Sequence, residues 1–422
     1  MNIQMHGISR SGKNYLIEHL IKHFNATSPK TILFVKGSET LNKFSQERFG
    51  KPLSETKEEQ KNELRRQFCP WFKKLTRKTE YKHIIVDGHY CFPVENDFIK
   101  SFSNEEMSIF DMFFYLDTPP KKIIENANNG DHNNHVGQFS IDKITKWKEI
   151  EIDGLQKTLS EIDKELIILD NDIDNIVSFF EYIFSHENVI FDARQIASSL
   201  IRKNQTLIEK YEKIILLDCD NTLSINDTTY EFCKTLKIDK AILKEILVNE
   251  RYSLYQFYRI ANLYSSFPLH SYYDSSEFAA NRTILNDDLI KDITENGKEY
   301  LSIGITSGVL QTWKNIQKKH NFPELIIGGS NLKIEDVIIS KFVKYQFTKL
   351  LRKKRKYVIA VGDSIIDMLM LEESDKGFIV ANQKLNCGIE DYINNYTSIS
   401  QLQYNKFKYK KIISKKSIFT ME

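Results

Sequence analysis

Short apolar runs alternate with longer amphipathic stretches along the first part of the chain. The apolar runs are three to five residues long and occupy positions 3–5, 31–35, 83–86, 112–116 and 166–169. The stretches between them, such as 15–24 and 58–78, repeat apolar residues at helical spacing. Short strands that alternate with helices are typical of a parallel sheet, so residues 1–185 are predicted to form an α/β domain that ends in a helix over 173–184.

The same pattern returns in the second half of the chain after an interruption. Residues 186–212 lack a strand pattern and are predicted to form a helical connector. An α/β domain is then predicted over 213–390, interrupted by a Tyr- and Phe-rich, helical insertion at about 225–285. A basic tail, 391–422, follows it. The strand-like runs of this second domain lie at 213–217, 300–305, 325–327, 357–361 and 378–380.

Composition narrows the class of protein without indicating its partner. With 422 residues, 41% of them hydrophobic and 27% charged, the chain is long enough to form two or three globular domains. Only 16 glycines and 8 prolines are present, which excludes collagen-like and Gly/Pro-rich disordered classes. Lys and Arg number 59 against 57 Asp and Glu, so the overall charge gives no argument for nucleic-acid binding.

The cysteines and the N-terminal residues bear on location. Five cysteines are present without CxxC spacing, which predicts neither a disulfide framework nor a zinc site and favours a reducing, cytoplasmic compartment. The first residues lack the apolar core of a signal peptide, and no run approaches the ~18 apolar residues of a membrane helix. A soluble protein is expected.

A glycine-rich loop follows the first predicted strand. Gly7, Gly12 and Lys13 match the pattern G-x-x-x-x-G-K, with Asn14 where Ser or Thr is usual. Glycines allow backbone N–H groups to surround a phosphate at a helix N-terminus, and a lysine neutralises the phosphate oxygens. The loop predicts a nucleotide phosphate site.

With this loop, residues 1–185 resemble the nucleotide and nucleoside kinase-like branch of the P-loop kinases. The resemblance implies a three-layer sandwich that binds ATP or another NTP. It also implies that Asp87, at the end of the predicted strand 83–86, organises Mg²⁺ and its waters. Lys36 and Gly37, which follow the second strand, would face the phosphoryl acceptor.

Two departures from that family leave the activity of the first domain open. Asn14 replaces the hydroxyl that would ligate Mg²⁺, and the lid equivalent, 123–138, contains no Arg. Arg10, Arg65 or Arg66 would have to supply the missing cation. The domain is therefore either an active kinase or a nucleotide-binding domain of weak activity that regulates the second domain.

Paired carboxylates end the first strand of the second domain. Asp218 and Asp220 lie two residues apart directly after the apolar run 213–217. Adjacent carboxylates repel each other unless a cation lies between them or one keeps its proton, and both arrangements serve catalysis. The companions that follow in the chain are a strand-end Ser307-Gly308, Lys344, and the G-D-x-x-x-D segment that holds Asp363 and Asp367.

These motifs together resemble the haloacid dehalogenase superfamily of phosphohydrolases, in its phosphoserine phosphatase-like branch. The resemblance implies a Rossmann-like domain in which Asp218 is the nucleophile and Asp220 the general acid and base. Mg²⁺ would be held by Asp218, the Asp220 carbonyl and Asp363, with Asp367 as nearby support. Ser307 and Lys344 would bind the phosphoryl group. The insertion would be a small helical cap.

The sequence offers alternative candidates for two of these assignments. Lys341 lies three residues before Lys344, which is preferred for its spacing to Asp363. Thr306 is a weaker rival for Ser307.

The two resemblances together predict a Mg²⁺-dependent phosphatase fused to an ATP-binding, kinase-like domain. A small phosphorylated metabolite or a nucleotide is favoured as substrate. The alternative is end repair of nucleic acid, because polynucleotide kinase/phosphatase enzymes combine the same two domain classes. The near-zero net charge and the predicted cap argue against that alternative. No membrane partner is expected.

Overall fold

The computed structural model describes residues 1–94, 97–129, 139–185, 193–247, 252–335, 337–380, 389 and 417–419. The chain divides into two compact units, unit 1 (1–185) and unit 2 (186–422). None of the helices in these ranges is long and apolar enough to span a membrane.

Unit 1 is built on a five-stranded parallel sheet with the strand order β2-β3-β1-β6-β7. The five apolar runs predicted from the sequence form these strands, so the parallel α/β prediction is confirmed. The sequence does not predict the separate hairpin of β4 and β5, since Pro93 interrupts its first strand. The strands of the described part of unit 1 are β1 (Asn2–His6), β2 (Ile32–Val35), β3 (His83–Asp87), β4 (Cys91–Val94), β5 (Asp97–Lys100), β6 (Met112–Leu116) and β7 (Leu166–Leu169).

Helices cover both faces of this sheet. They are α1 (Lys13–Thr27), α2 (Gly37–Phe49), α3 (Glu58–Lys78), α4 (Pro120–Asn128), α5 (Ile141–Ser160) and α6 (Ile173–Ser185). Successive residues of a strand point to opposite faces, as two phenylalanines of β6 illustrate. Phe113 packs with Phe72 of α3 and Leu155 of α5, while the ring of Phe114 lies 5.2 Å from that of Phe180 of α6. The sheet is therefore the middle of three layers.

Unit 2 contains a second five-stranded parallel sheet, with the order β10-β9-β8-β11-β12. Three of the predicted strands have the observed bounds, and the last strand begins two residues earlier than predicted. The second part of the fold-class prediction, another parallel α/β sheet, is therefore confirmed. The strands are β8 (Lys213–Leu217), β9 (Tyr300–Ile305), β10 (Leu325–Ile327), β11 (Tyr357–Gly362) and β12 (Lys376–Ile379).

The helices of unit 2 include the predicted connector and insertion. Helix α7 contributes Ile196 and Leu200 to the same buried cluster as Phe347 of α15, so it is part of the core of unit 2. Helices α9 to α12 occupy the insertion. The helices are α7 (Ala193–Lys203), α8 (Gln205–Ile208), α9 (Thr228–Thr235), α10 (Lys240–Ile246), α11 (Leu254–Ser265), α12 (Leu269–Arg282), α13 (Asp287–Asn296), α14 (Leu310–His320), α15 (Lys341–Lys353) and α16 (Met368–Glu373).

Residues 417–419 pack against unit 2 and are called the C-terminal anchor below. Ile418 is 1% exposed, and its N–H donates to Asp292 Oδ2 at 2.8 Å. The ring of Phe419 lies 4.9 Å from that of Tyr300 on β9. The rest of the predicted tail lies outside the described residues.

Candidate active sites

Unit 2 gathers acidic side chains at the carboxyl ends of its central strands. Asp218 follows β8 and Asp363 follows β11, and these two strands are neighbours in the sheet. One carboxylate oxygen each from Asp218, Asp363 and Asp367 lies within 4.8 Å of the others. The strand ends thus bring together the two separate acidic motifs of the sequence, which are more than 140 residues apart.

A buried lysine bridges two of these aspartates. Lys344 Nζ donates to Asp218 Oδ1 at 2.5 Å and to Asp367 Oδ1 at 2.7 Å, and the lysine side chain is 1% exposed. It lies in the first turn of α15, where the hydroxyl of Ser340 caps the helix. The structure therefore favours Lys344 over Lys341 as the lysine of the site.

Asp367 organises the loop that carries Asp363. Its Oδ2 accepts hydrogen bonds from the N–H of Asp363 at 3.3 Å and from the N–H and hydroxyl of Ser364 at 3.1 and 2.8 Å. Because its Oδ1 is paired with Lys344, both oxygens of Asp367 have partners within the protein. This arrangement suits the supporting role expected for it better than direct contact with a metal.

Asp218 and Asp363 hold protons more tightly than exposed carboxyls do. Burial, followed by the charge of Asp367, raises the pKa of Asp218 to about 7. Burial, followed by the charge of Asp218, raises the pKa of Asp363 to about 9, although Thr222 Oγ1 donates to Asp363 at 3.1 Å. A single lysine does not compensate two buried carboxylates and the partly buried one of Asp363, so the cluster fits a hard divalent cation such as Mg²⁺.

Mg²⁺ affinity is accordingly expected to increase with pH. Protons on Asp218 and Asp363 must leave before the cation binds, so affinity should rise by about tenfold per pH unit for each displaced proton between about pH 6 and 8. Titration calorimetry in two buffers of different ionisation enthalpy measures both the affinity and the protons released. An affinity that is constant across this range would contradict the expectation, and Asp363→Asn should flatten the dependence.

Asp220 occupies the turn that follows β8. Asn221, next to it, has φ 59°, a left-handed conformation that asparagine tolerates well. The Oδ1 atom of Asp220 accepts from the N–H and the hydroxyl of Thr228, at 2.7 and 2.5 Å. Burial, followed by the charge of Asp227, raises the pKa of Asp220 to about 6, in the range expected of a group that both gives and takes a proton near neutral pH.

The hydroxyls after β9 have different environments. Thr306 Oγ1 accepts from the N–H of Gly308 at 2.8 Å and stabilises the turn. Ser307 Oγ is buried and has no hydrogen-bond partner among the described residues. A buried hydroxyl without a partner is costly unless a ligand supplies one, so the structure favours Ser307 over Thr306 for phosphate contact.

The helical insertion is connected by buried hydrogen bonds to the segment that follows β10. Tyr272 OH lies 3.1 Å from Ser330 Oγ, and Ser265 Oγ donates to Asn331 Oδ1 at 3.2 Å. Tyr264 and Tyr272 are almost fully buried. These aromatic residues therefore serve packing.

In unit 1 the glycine-rich loop joins β1 to α1. Gly7 has φ 146° and Gly12 φ 94°, both in the region that favours glycine, and a Cβ on Gly7 would lie 2.9 Å from Ser11 Oγ. Lys13 Nζ donates to the carbonyl oxygens of Gly7 and Ile8. Burial lowers the pKa of Lys13 to about 8. The loop thus encloses its own lysine.

Two adjoining cavities meet at Asp87. The larger, of about 750 Å³, is lined by Lys13 and Asn14 of the loop, and the smaller, of about 150 Å³, by Gly37 and Glu106. Asp87 and His89 line both. Asp87 Oδ1 accepts from the N–H of Gly37 at 2.6 Å, which fixes its carboxylate between the cavities.

The candidate cations of unit 1 are distributed over different surfaces. Arg10 lines the larger cavity, Arg65 the smaller one, and Arg66 a separate surface pocket. Lys122 of α4 also lines the larger cavity and was not predicted. Among the described residues, Arg10 is thus the predicted arginine that lines the same cavity as Lys13. The lid residues Asp131, His132 and His135 lie outside the described ranges.

A buried polar group behind the loop was also not predicted. Glu151 of α5 accepts from the N–H groups of Tyr90 and Cys91 at 3.0 and 3.3 Å. His89 Nδ1 lies 3.7 Å from Glu151, and its Nε2 lies 3.5 Å from Lys13 Nζ. Because these contacts join distant segments of the chain, no local sequence pattern indicates them.

Comparisons with known proteins find similarity to solved structures alone. No protein-family model and no curated protein matches the sequence. A HAD family hydrolase from Salmonella enterica serovar Typhi is similar at TM-score 0.34 and 15% identity, over 43% of this chain and 71% of that chain. A phosphoserine phosphatase, solved as a phospho-aspartyl intermediate analogue, is similar at 0.31 and 16%, over 47% and 92%. Shikimate kinase from Bacteroides thetaiotaomicron is similar at 0.30 and 16%, over 44% and 98%. Each of these neighbours resembles less than half of the chain, and in fold alone.

Proposed function

We propose that unit 2 is a Mg²⁺-dependent phosphomonoester hydrolase that carries the phosphoryl group on Asp218. The observation that carries this proposal is the contact of buried Lys344 with Asp218 beside Asp363 and Asp367. An ion pair with only a structural role would need no third carboxylate. It would also not need the buried hydroxyl of Ser307, which lies at the neighbouring strand end and has no partner among the described residues.

The proposed reaction has two steps. An oxygen of Asp218 attacks phosphorus while Asp220 gives a proton to the leaving oxygen. Water then attacks the aspartyl-phosphate, and Asp220 takes a proton from that water. Lys344 and Ser307 stabilise charge on the phosphoryl oxygens in both steps.

The carboxylate set indicates where the cation would bind. Asp218, Asp363 and the carbonyl of Asp220 would hold Mg²⁺, and Asp367 would keep the Asp363 loop in place. When bound, the cation neutralises charge between the nucleophile and the phosphate.

The decisive experiment traps the phosphorylated enzyme. After reaction with a phosphomonoester in Mg²⁺, borohydride reduces an aspartyl-phosphate to homoserine, which peptide mass spectrometry should locate at position 218. Homoserine at another aspartate, or none while phosphate is released, would contradict the role of Asp218. The substrate panel should contain nucleotides, sugar phosphates, phosphoserine and 3′-phosphorylated oligonucleotides, because this choice separates small metabolites from nucleic-acid ends.

For unit 1 we propose nucleotide binding at the glycine-rich loop, with phosphoryl transfer to a hydroxyl in the smaller cavity. Asp87 and His89 line both cavities, so an acceptor in one would lie next to a nucleotide phosphate in the other. Tight ATP binding without turnover on any acceptor would instead favour a nucleotide sensor.

Lys13→Ala is expected to weaken ATP binding by about ten- to a hundredfold, since a hydrogen bond to a charged group contributes about 1.5–3 kcal/mol. Calorimetry measures the affinity. Lys22→Ala, at an exposed position of the same helix, is the matched control. Phosphate release by unit 2 should stay unchanged in both variants. Unaltered ATP affinity in Lys13→Ala would exclude the loop as the nucleotide site.

A further inference from the structure

The two oxygens of Asp220 are held from opposite sides by different parts of unit 2. Thr228, at the start of α9, donates twice to Oδ1. Trp313 of α14 donates its indole N–H to Oδ2 at 3.4 Å. The tryptophan is 93 residues from Asp220 and belongs to none of the sequence motifs of the site.

The indole has a fixed position. Trp313 is 1% exposed and packs in one buried cluster with Leu217 and Cys219, which flank the nucleophile. A Cβ on Gly308 would lie 2.5 Å from Asp220 Oδ2, so the proposed phosphate-binding turn passes directly beside this oxygen. Oδ2 is therefore the Asp220 oxygen nearer to that turn, and the tryptophan holds it there.

We infer that Trp313 is a positioning residue that directs Asp220 Oδ2 toward the leaving oxygen of the substrate. This inference rests on the phosphatase function proposed above. As the bond between phosphorus and the leaving oxygen breaks and the bond to Asp218 forms, the proton on Oδ2 passes to the leaving oxygen. The carboxylate that remains accepts the indole N–H.

The dependence of rate on the leaving group distinguishes this role from a structural one. Phenolate is a poor leaving group that needs a proton, whereas para-nitrophenolate leaves readily without one. In Trp313→Phe, kcat/KM for phenyl phosphate is expected to fall by about tenfold, a part of the about 10²–10⁴-fold that general acids contribute. For para-nitrophenyl phosphate the loss should stay within about threefold. A purely structural defect would lower both equally.

Because Phe is smaller than Trp, a second replacement tests the loss of the N–H without a change of shape. Benzothienylalanine at position 313 keeps the shape of the indole but has sulfur in place of the N–H, and it should produce the same selective loss. Tyr272→Phe, which removes a buried hydroxyl of the insertion, is the control and should leave the ratio of the two rates unchanged.

The outcomes separate this inference from the function on which it rests. Failure of the wild-type protein to release phosphate or to yield homoserine at position 218 would overturn both. An active wild type with equal losses for the two substrates, or no loss in either variant, would overturn the role of Trp313 alone.

Discussion

Asp218→Asn is expected to lower phosphate release by at least about 10³-fold, the largest effect of any single change in the molecule. An amide oxygen is a poor nucleophile and cannot form the phosphorylated intermediate, while Lys344 and Ser307 remain in place to bind substrate. The loss should therefore appear in kcat, with little change in substrate affinity. Release of phosphate from a phosphomonoester in Mg²⁺ measures it.

The matched control for this variant is Asp274→Asn, at an exposed position of α12. It makes the same chemical change in the same unit and should retain full activity. Borohydride reduction should yield no homoserine at position 218 in Asp218→Asn. Retention of wild-type activity by Asp218→Asn would mean that another group accepts the phosphoryl group.

Lys344→Met is expected to destabilise unit 2 by about 3–5 kcal/mol, because it leaves two buried carboxylates without their cation. The lysine side chain is 1% exposed and contacts both Asp218 and Asp367. Urea unfolding in the presence of a chelator measures the change without a contribution from metal. Lys341→Met, one turn away on the same helix, should cost much less.

The stability lost in Lys344→Met is expected to depend on pH in a defined direction. Burial raises the pKa of Asp218 to about 7 with the lysine present, and removal of the lysine raises the pKa further. A higher pKa in the folded state means that stability is lost as the pH rises. The difference between Lys344→Met and the wild type should be smallest below about pH 7 and should grow above it. Adding Asp367→Asn should restore part of the loss, and equal stability of all three proteins would contradict the ion-pair argument.

The two five-stranded sheets could be predicted from the sequence because each of their central strands is buried on both faces. Such strands are continuous apolar runs, and the runs at 112–116 and 213–217 have the bounds of β6 and β8. The acidic motifs could be predicted to meet, since parallel strands end at one edge of a sheet. The spacing to Asp363 favoured Lys344 over Lys341, whereas helical periodicity alone could not separate the two lysines, because residues three apart lie on the same side of a helix.

Contacts that depend on packing between distant segments could not be predicted from the sequence. Trp313 has the local pattern of an ordinary core residue, and only its packing beside Cys219 brings the indole N–H to Asp220. Glu151 lies in an amphipathic helix with many charged residues and gives no sign of its burial. In both cases tertiary packing positions the side chain, and such packing leaves no periodic pattern in the local sequence.

The C-terminal anchor bears on how the two units are completed during translation. The last helix of unit 1, α6, ends at Ser185, so this unit can close its core while the ribosome is still synthesising unit 2. The buried cluster of unit 2 includes Ile418, whose backbone partner Asp292 is 126 residues earlier. A nascent chain in which residue 418 is still within the exit tunnel therefore leaves an apolar surface open to chaperones. A premature stop codon before this position would leave that surface open permanently, although the coding sequence of both candidate sites would be intact.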